Sequence, residues 1–197
     1  MEMAVAEKGL VVIDCIAHGK AGHAARNEGE NALYKALRDI QRIQDLQLEK
    51  QSELLGPVKL TVTQIQGGTQ HNVVPATCSF VIDVRTNEQY SNGEVVSILT
   101  ELLESEVKPR SLRLNSSGIA ARHPLVEAGR ALGRKSYGSP TLSDQAQMPF
   151  ATLKMGPGDS ARSHTAGEYI LLSEIEEAID LYTQVITSLP GDKTRYL

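Results

Sequence analysis

The chain has 197 residues and a net charge of −4, with 41% hydrophobic and 22% charged residues. It is long enough for one large domain or two small ones around a substantial core. The acidic balance argues against broad phosphate binding, which needs clustered Lys and Arg, and so against a nucleic-acid partner. No run of about 18 apolar residues occurs, and no basic segment precedes an apolar one at the N-terminus. A membrane partner is therefore not expected, and a cytoplasmic location is.

In chain order, Glu7 to Ala17 is a β-branched run with Val11, Ile13 and Cys15 on one face, which predicts a first strand. Cys15 and Cys78 lie in apolar runs without zinc-ribbon or CxxC spacing, and read as small buried hydrophobes in a reducing compartment. The stretch His18 to Asn31 is too rich in glycine for a helix and predicts an ordered loop. His18 and His23 are five apart, which suits neither helical metal ligation nor strand alternation. Gly19 and Gly22 would permit close backbone approach by another body.

From Asn31 to about Leu48 an amphipathic helix is predicted by Leu33, Ala36, Leu37, Ile40 and Ile43. Lys59 to Gln66 follows as a second strand. The stretch Gly67 to Arg85 then brings a paired glycine, His71 and Asn72, and Pro75 ahead of a third strand. There Cys78, Phe80, Ile82 and Val84 point one way; Ser79, Val81, Asp83 and Arg85 point the other. A loop presenting His and Asn, before a strand presenting Arg, suits recognition of a carboxylate or a developing oxyanion. A solvated polar loop and strand end is the other reading. A second helix begins near Gly93 and ends before Pro109, and Ser111 to Leu114 reads as a short fourth strand.

Residues 7–115 thus predict β-α-β-β-α-β: a ferredoxin-like α+β domain with a four-stranded antiparallel sheet and both helices on one face. Residues 116–197 differ in character. Pro124 opens a helix through about Leu132, with His123 expected to cap it. A polar loop from Ser139 to Met148, a short strand from Pro149 to Met155 and a second loop follow. Ser173 and Glu176 predict a capping box for a last helix burying Ile175, Ala178, Ile179, Tyr182, Val185 and Ile186. Its apolar face needs a partner that the chain does not supply.

Three segments together resemble the acetylornithine deacetylase and succinyl-diaminopimelate desuccinylase family of dinuclear zinc amidohydrolases. They are Gly19-Lys20-Ala21-Gly22-His23 with Asn31-Ala32, Asn72-Val73-Val74-Pro75 with Arg85, and Gly156-Pro157 with His164 and Glu168. The resemblance is nearest to acetylornithine-type members of arginine biosynthesis. It implies that residues 7–115 are a lid that forms a homodimer, and 116–197 the closing segment of an α/β zinc-hydrolase domain. It also implies that His23 reaches across the dimer to the oxyanion, and that Asn72 and Arg85 hold the carboxylate of a small N-acylated amino acid. Ser143 and the backbone around Gly156 would line the substrate pocket, and His164 would be a zinc ligand. His71, His18 and His123 carry no matched role.

The family's H-x-D motif, bridging Asp, Glu-Glu pair and the acidic ligand before the lid have no counterpart here. The chain thus resembles the C-terminal half of such an enzyme. Two zinc ions are expected in the intact protein, but neither zinc retention nor turnover is expected of this chain, because one His cannot hold a catalytic zinc. Aminoacylases, peptidases, carboxypeptidases and desuccinylases of the same family remain open, as does a non-catalytic dimerisation module. An RNA-recognition module shares the element order but would need aromatics where the third strand has Ser79, Val81, Asp83 and Arg85.

Overall fold

A computed structural model describes residues 1–163 and 165–189. In chain order its strands are β1 (Met3–Glu7), β2 (Val11–His18), β3 (Gly22–His23), β4 (Lys59–Gly67), β5 (Val73–Val74), β6 (Thr77–Arg85), β7 (Glu106–Pro109), β8 (Ser117–Gly118) and β9 (Ser136–Ser139). Its α-helices are α1 (Ala32–Asp45), α2 (Asn92–Leu102), α3 (Pro124–Ala131) and α4 (Leu172–Ser188). The chain divides into two compact units. One comprises Lys8–Ser117 with Pro140–Gln147. The other comprises Met1–Glu7, Gly118–Ser139 and the described residues from Met148 on.

The first unit is a four-stranded antiparallel sheet in the order β4-β6-β2-β7, the β-α-β-β-α-β topology expected. Strict alternation sends Val11, Ile13, Cys15 and Ala17 of β2, with Cys78, Phe80, Ile82 and Val84 of β6, into one core. Ala32, Ala36 and Ile43 of α1 and Val95 and Leu99 of α2 complete that core, so both helices cover the same face. The other face carries Val12, Asp14, Val81, Asp83 and Arg85, all half-buried.

Polar groups lock the helices to the sheet. Asp39 on α1 is fully buried and accepts from the Ser105 amide at 2.8 Å, the Ser105 hydroxyl at 2.6 Å and the Glu104 amide at 3.2 Å. Buried Asn92 donates to the carbonyls of Leu10 at 3.1 Å and Leu114 at 2.9 Å, while Thr86 donates to its Oδ1 at 2.8 Å. A capping box between Ser91 and Glu94 starts α2.

The fourth strand differs from expectation. It lies at Glu106–Pro109, pairing with β2, and α2 ends at Leu102. Pro109 is tolerated because β7 is an edge strand, where a missing N–H leaves no ladder bond unmade. The alternation of Ser111 to Leu114 serves a local purpose instead, since the Leu112 and Leu114 carbonyls accept from Asn92.

The second unit contains a three-stranded sheet, β8-β1-β9, with β1 and β9 parallel. The strand expected from Glu7 to Ala17 is β2, which begins only at Val11; Glu7 ends a separate strand, β1, in the other unit. β1 is covered on both sides, with Met3, Ala4, Val5 and Glu7 all buried, as suits a central parallel strand. The Glu7 carboxylate pairs with the Lys154 ammonium, which also reaches the Ser139 hydroxyl at 3.3 Å. Pro149 to Met155 makes only an isolated bridge, Lys154 to Ala4, rather than a strand.

His123 does cap α3, its Nδ1 accepting from the Leu125 amide at 3.3 Å, with Pro124 at the first helical position. Gly129 of α3 meets Met3 so closely that a Cβ would lie 2.3 Å from its sulfur. Helix α4 starts two residues earlier than expected: Glu174, not Glu176, accepts the amide of Leu171 at 2.9 Å. Arg162 holds that carboxylate at 2.7 Å, which fixes the choice. The buried stripe is Ala178, Leu181 and Val185, whereas Ile179 and Ile186 are 59% and 57% exposed. No helix among the described residues is long and apolar enough to cross a membrane.

Candidate active site

His23 is built into position by its loop. After β2 ends at His18, the Gly19 amide donates to Ala76 at 2.7 Å, and Lys20 and Glu30 exchange two backbone bonds of 2.8 Å. A Cβ on Gly19 would lie 2.1 Å from the Glu30 carbonyl, and one on Gly22 would lie 2.4 Å from that of Glu28. Only glycine lets these backbones approach so closely. β3 then pairs antiparallel with β5, setting His23 opposite Val73, and the Ala24 amide donates to the Asn72 carbonyl at 2.9 Å.

Asn31 and Pro75 support the same loop. Asn31 caps α1, accepting from the Leu33 amide at 2.9 Å, and the Ala32 amide donates to Pro75 at 3.0 Å. The motif residues thus divide: the glycines, Asn31 and Pro75 hold the backbone, while the side chains of His23 and Asn72, on the paired segments β3 and β5 and their flanks, are left exposed. His71 is exposed beside them.

The chemistry of His23 follows from one contact. Its Nδ1 accepts the backbone N–H of Ala25 at 3.1 Å, so in the neutral ring that nitrogen carries no proton. Nε2 then bears the hydrogen and presents a neutral donor outward. His18 is differently engaged, with its Nε2 3.3 Å from Glu106.

Arg85 is on the open sheet face at the far end of β6. Thr77 pairs with His18 and Val84 with Val11, so β6 runs the whole length of β2. At about 3.3 Å per residue, Arg85 stands roughly 25 Å from the Thr77 end, where Asn72 and His23 lie. One copy of the chain therefore brings His23 and Asn72 together and keeps Arg85 apart. The guanidinium is held by Asp83, with Nε to Oδ1 at 2.7 Å and Nη2 to Oδ2 at 3.0 Å. Asp83 had a legible signal, since it shares a strand face with Arg85 at i, i+2.

Ser143 is half-buried ahead of a 3₁₀ turn, Asp144–Gln147, where its hydroxyl accepts from the Gln145 amide at 3.4 Å. Gly156 belongs to the other unit and lines a cleft of about 950 Å³ with Tyr137, Lys154, Arg162, Glu168 and Tyr169. Within it Arg162 packs on the Tyr169 ring at 4.8 Å, and its bond to Glu174 holds that carboxyl below the usual range. His164 lies outside the described residues. Among the described residues no three His, Cys, Asp or Glu side chains gather as a metal site, whereas a catalytic zinc takes about three protein ligands.

Residues 5–111 match the family model of the M20 peptidase dimerisation domain. The chain belongs to the M20 peptidase family. It is 29% identical over 210 residues to the acetylornithine deacetylase of Myxococcus xanthus, covering 95% of this chain and 55% of that one. Among solved structures it resembles aminopeptidase PepT of Bacillus cereus, with a TM-score of 0.76 and 19% identity over 95% of this chain and 53% of PepT. It also resembles the Bacillus subtilis protein YXEP, described as a dinuclear metal-binding M20 peptidase, at a TM-score of 0.63 and 15% identity, covering 94% of this chain and 51% of that one. The chain thus spans about half the length of the M20 relatives it matches.

Proposed function

We propose that this chain is the lid and closing segment of a zinc-dependent N-acyl-amino-acid deacylase that cleaves an amide bond as a homodimer. The favoured substrate is an N-acetylornithine or N-succinylornithine type compound of arginine biosynthesis, in the cytoplasm. The observation that carries the reading is the exposed His23, locked by Ala25 as an outward Nε2–H donor on a loop of the M20 dimerisation domain.

A neutral donor suits an oxygen that becomes negative only in the transition state, where a fixed N–H gains most. His23 would supply that bond, and Arg85 and Asn72 would hold the substrate carboxylate. Their placement at opposite ends of β6 supports a site assembled from two copies, His23 and Asn72 from one and Arg85 from the other. Ser143 and Gly156 would line the pocket. Zinc is the metal we propose for the intact enzyme. His164 would be one ligand, with most of the others coming from outside the described residues.

The test is hydrolysis of N-acetyl-L-ornithine and N-succinyl-L-ornithine by the full-length gene product, before and after chelation. Loss of turnover on chelation, with recovery on adding zinc, is expected. Turnover that survives chelation, or hydrolysis confined to peptides, would replace this reading with another M20 activity. Binding of two copies with no hydrolysis at all would favour a non-catalytic dimerisation module.

A further inference from the structure

We infer that Asp83 is a positioning residue that aims one face of the Arg85 guanidinium outward. The inference rests on the reading of Arg85 as the carboxylate holder. A guanidinium carries five N–H groups in a rigid plane. Asp83 engages Nε and one hydrogen of Nη2, at 2.7 and 3.0 Å, leaving both hydrogens of Nη1 and the second of Nη2. Those remaining groups form a second fork, which matches another carboxylate bidentately.

The backbone makes the arrangement stiff. Ile82 and Val84, on either side of Asp83, are completely buried, so the strand cannot turn its other face away. Asp83 faces neutral neighbours across both ladders, Thr61 and Val12. Arg85 faces Lys59, a like charge that would otherwise push its side chain aside. Two roles for Asp83 are therefore distinct: orienting the fork, or only balancing Lys59. Orientation dominates on magnitude, because an arginine's rotamer entropy exceeds the screened repulsion between the half-buried Arg85 guanidinium and the exposed Lys59 ammonium.

The test is NMR titration of the 197-residue chain with sodium N-acetylglycine, followed at the Arg85 Nε–H and the backbone amides of residues 83–87. Asp83→Asn should weaken binding about tenfold, the scale of one charge-assisted bond, and broaden the Nε–H signal by exchange. Asp83→Glu should recover most of both, and adding Lys59→Gln to Asp83→Asn should recover neither. Equal or tighter binding by Asp83→Asn, or recovery through Lys59→Gln, overturns the inference while leaving the role of Arg85 intact. Absence of saturable shifts in the unsubstituted chain, or unchanged amide shifts in Arg85→Ala, overturns the role of Arg85 and this inference with it.

Discussion

Asn72 lies beyond the Thr77 end of β6 and Arg85 at its other end, with the eight steps from Thr77 to Arg85 between them. If both serve one substrate, each active site draws on two chains. In the full-length enzyme His23→Ala should lower kcat by about 10²–10³, while Arg85→Ala should chiefly raise KM. Assayed with substrate well below KM, mixing the two variants should restore about a quarter of wild-type activity, because half the dimers are mixed and each mixed dimer has one intact site. Additive inactivity after subunit exchange would show that both residues act within one copy.

A homodimer is the second expectation, and the four-stranded unit, which matches a peptidase dimerisation domain, carries a candidate surface for it. β4 is a sheet edge with Ile65 exposed, and α1 above it exposes Tyr34 and Leu37. An uncapped edge beside apolar side chains is a template for pairing. Sedimentation at micromolar concentration should give a dimer, and Leu37→Glu combined with Ile65→Glu a monomer of unchanged circular dichroism. A dimer that ignores both charges would move the interface elsewhere.

Asp39 should be worth more to stability than its single charge implies. Removing it strands the amides of Glu104 and Ser105 and leaves Arg42 without one of its two carboxylates. Asp39→Ala should cost about 3 kcal/mol in urea unfolding, the scale for breaking a buried polar pair. Arg42→Ala removes a partly exposed group and should cost under about 1 kcal/mol.

Acid should weaken the lid through carboxylates held low. Arg110 pulls the Asp14 pKa down, Lys35 that of Glu30 and Ser91 that of Glu94. Each folded pKa lies below its unfolded value, so its contribution is full above the unfolded carboxylate pKa of about 4. It is lost as pH falls through the folded pKa. Urea midpoints should therefore hold level above about pH 5 and drop below about pH 4, less steeply in Arg110→Ala.

The thiols should be inert in the folded chain. Burial pushes Cys15 up to about 12, with Asp39 and Asp14 adding to the shift, and burial also raises Cys78. Since the thiolate is the reactive form, a disulfide reagent at neutral pH should label neither until denaturant is added. Rapid labelling of the native chain would mean that the core face of β2 and β6 opens readily.

How much was legible from residues alone depended on how local the cause was. The alternation from Cys78 to Arg85 determined a strand and its buried face, because side-chain direction along a strand follows from position parity. The helix stripe beginning at Leu33, the Pro124 start with its His123 cap and the β-α-β-β-α-β topology were legible for similar reasons, except that Leu37, expected in that stripe, is 53% exposed. The segment Met3–Glu7 was not, because its strand exists through parallel pairing with Ser136–Ser139, more than a hundred residues away. The fourth strand was misplaced to Ser111–Leu114 because its alternation matches the pattern of a strand, while pairing with β2 selected Glu106–Pro109. The buried side of α4 likewise depended on neighbours: Ala178 and Val185 are buried as expected, but Leu181 joins them while Ile179 and Ile186 are left exposed. In the candidate site, the family resemblance singled out His23, Asn72 and Arg85 as candidates, yet motif order says nothing of distance. Only the antiparallel ladder put the first two at one end of the sheet and the third at the other. The hydrogen bonds from Ala25 and to Asp83, which determine what His23 and Arg85 present, depend on backbone placement to a few tenths of an ångström.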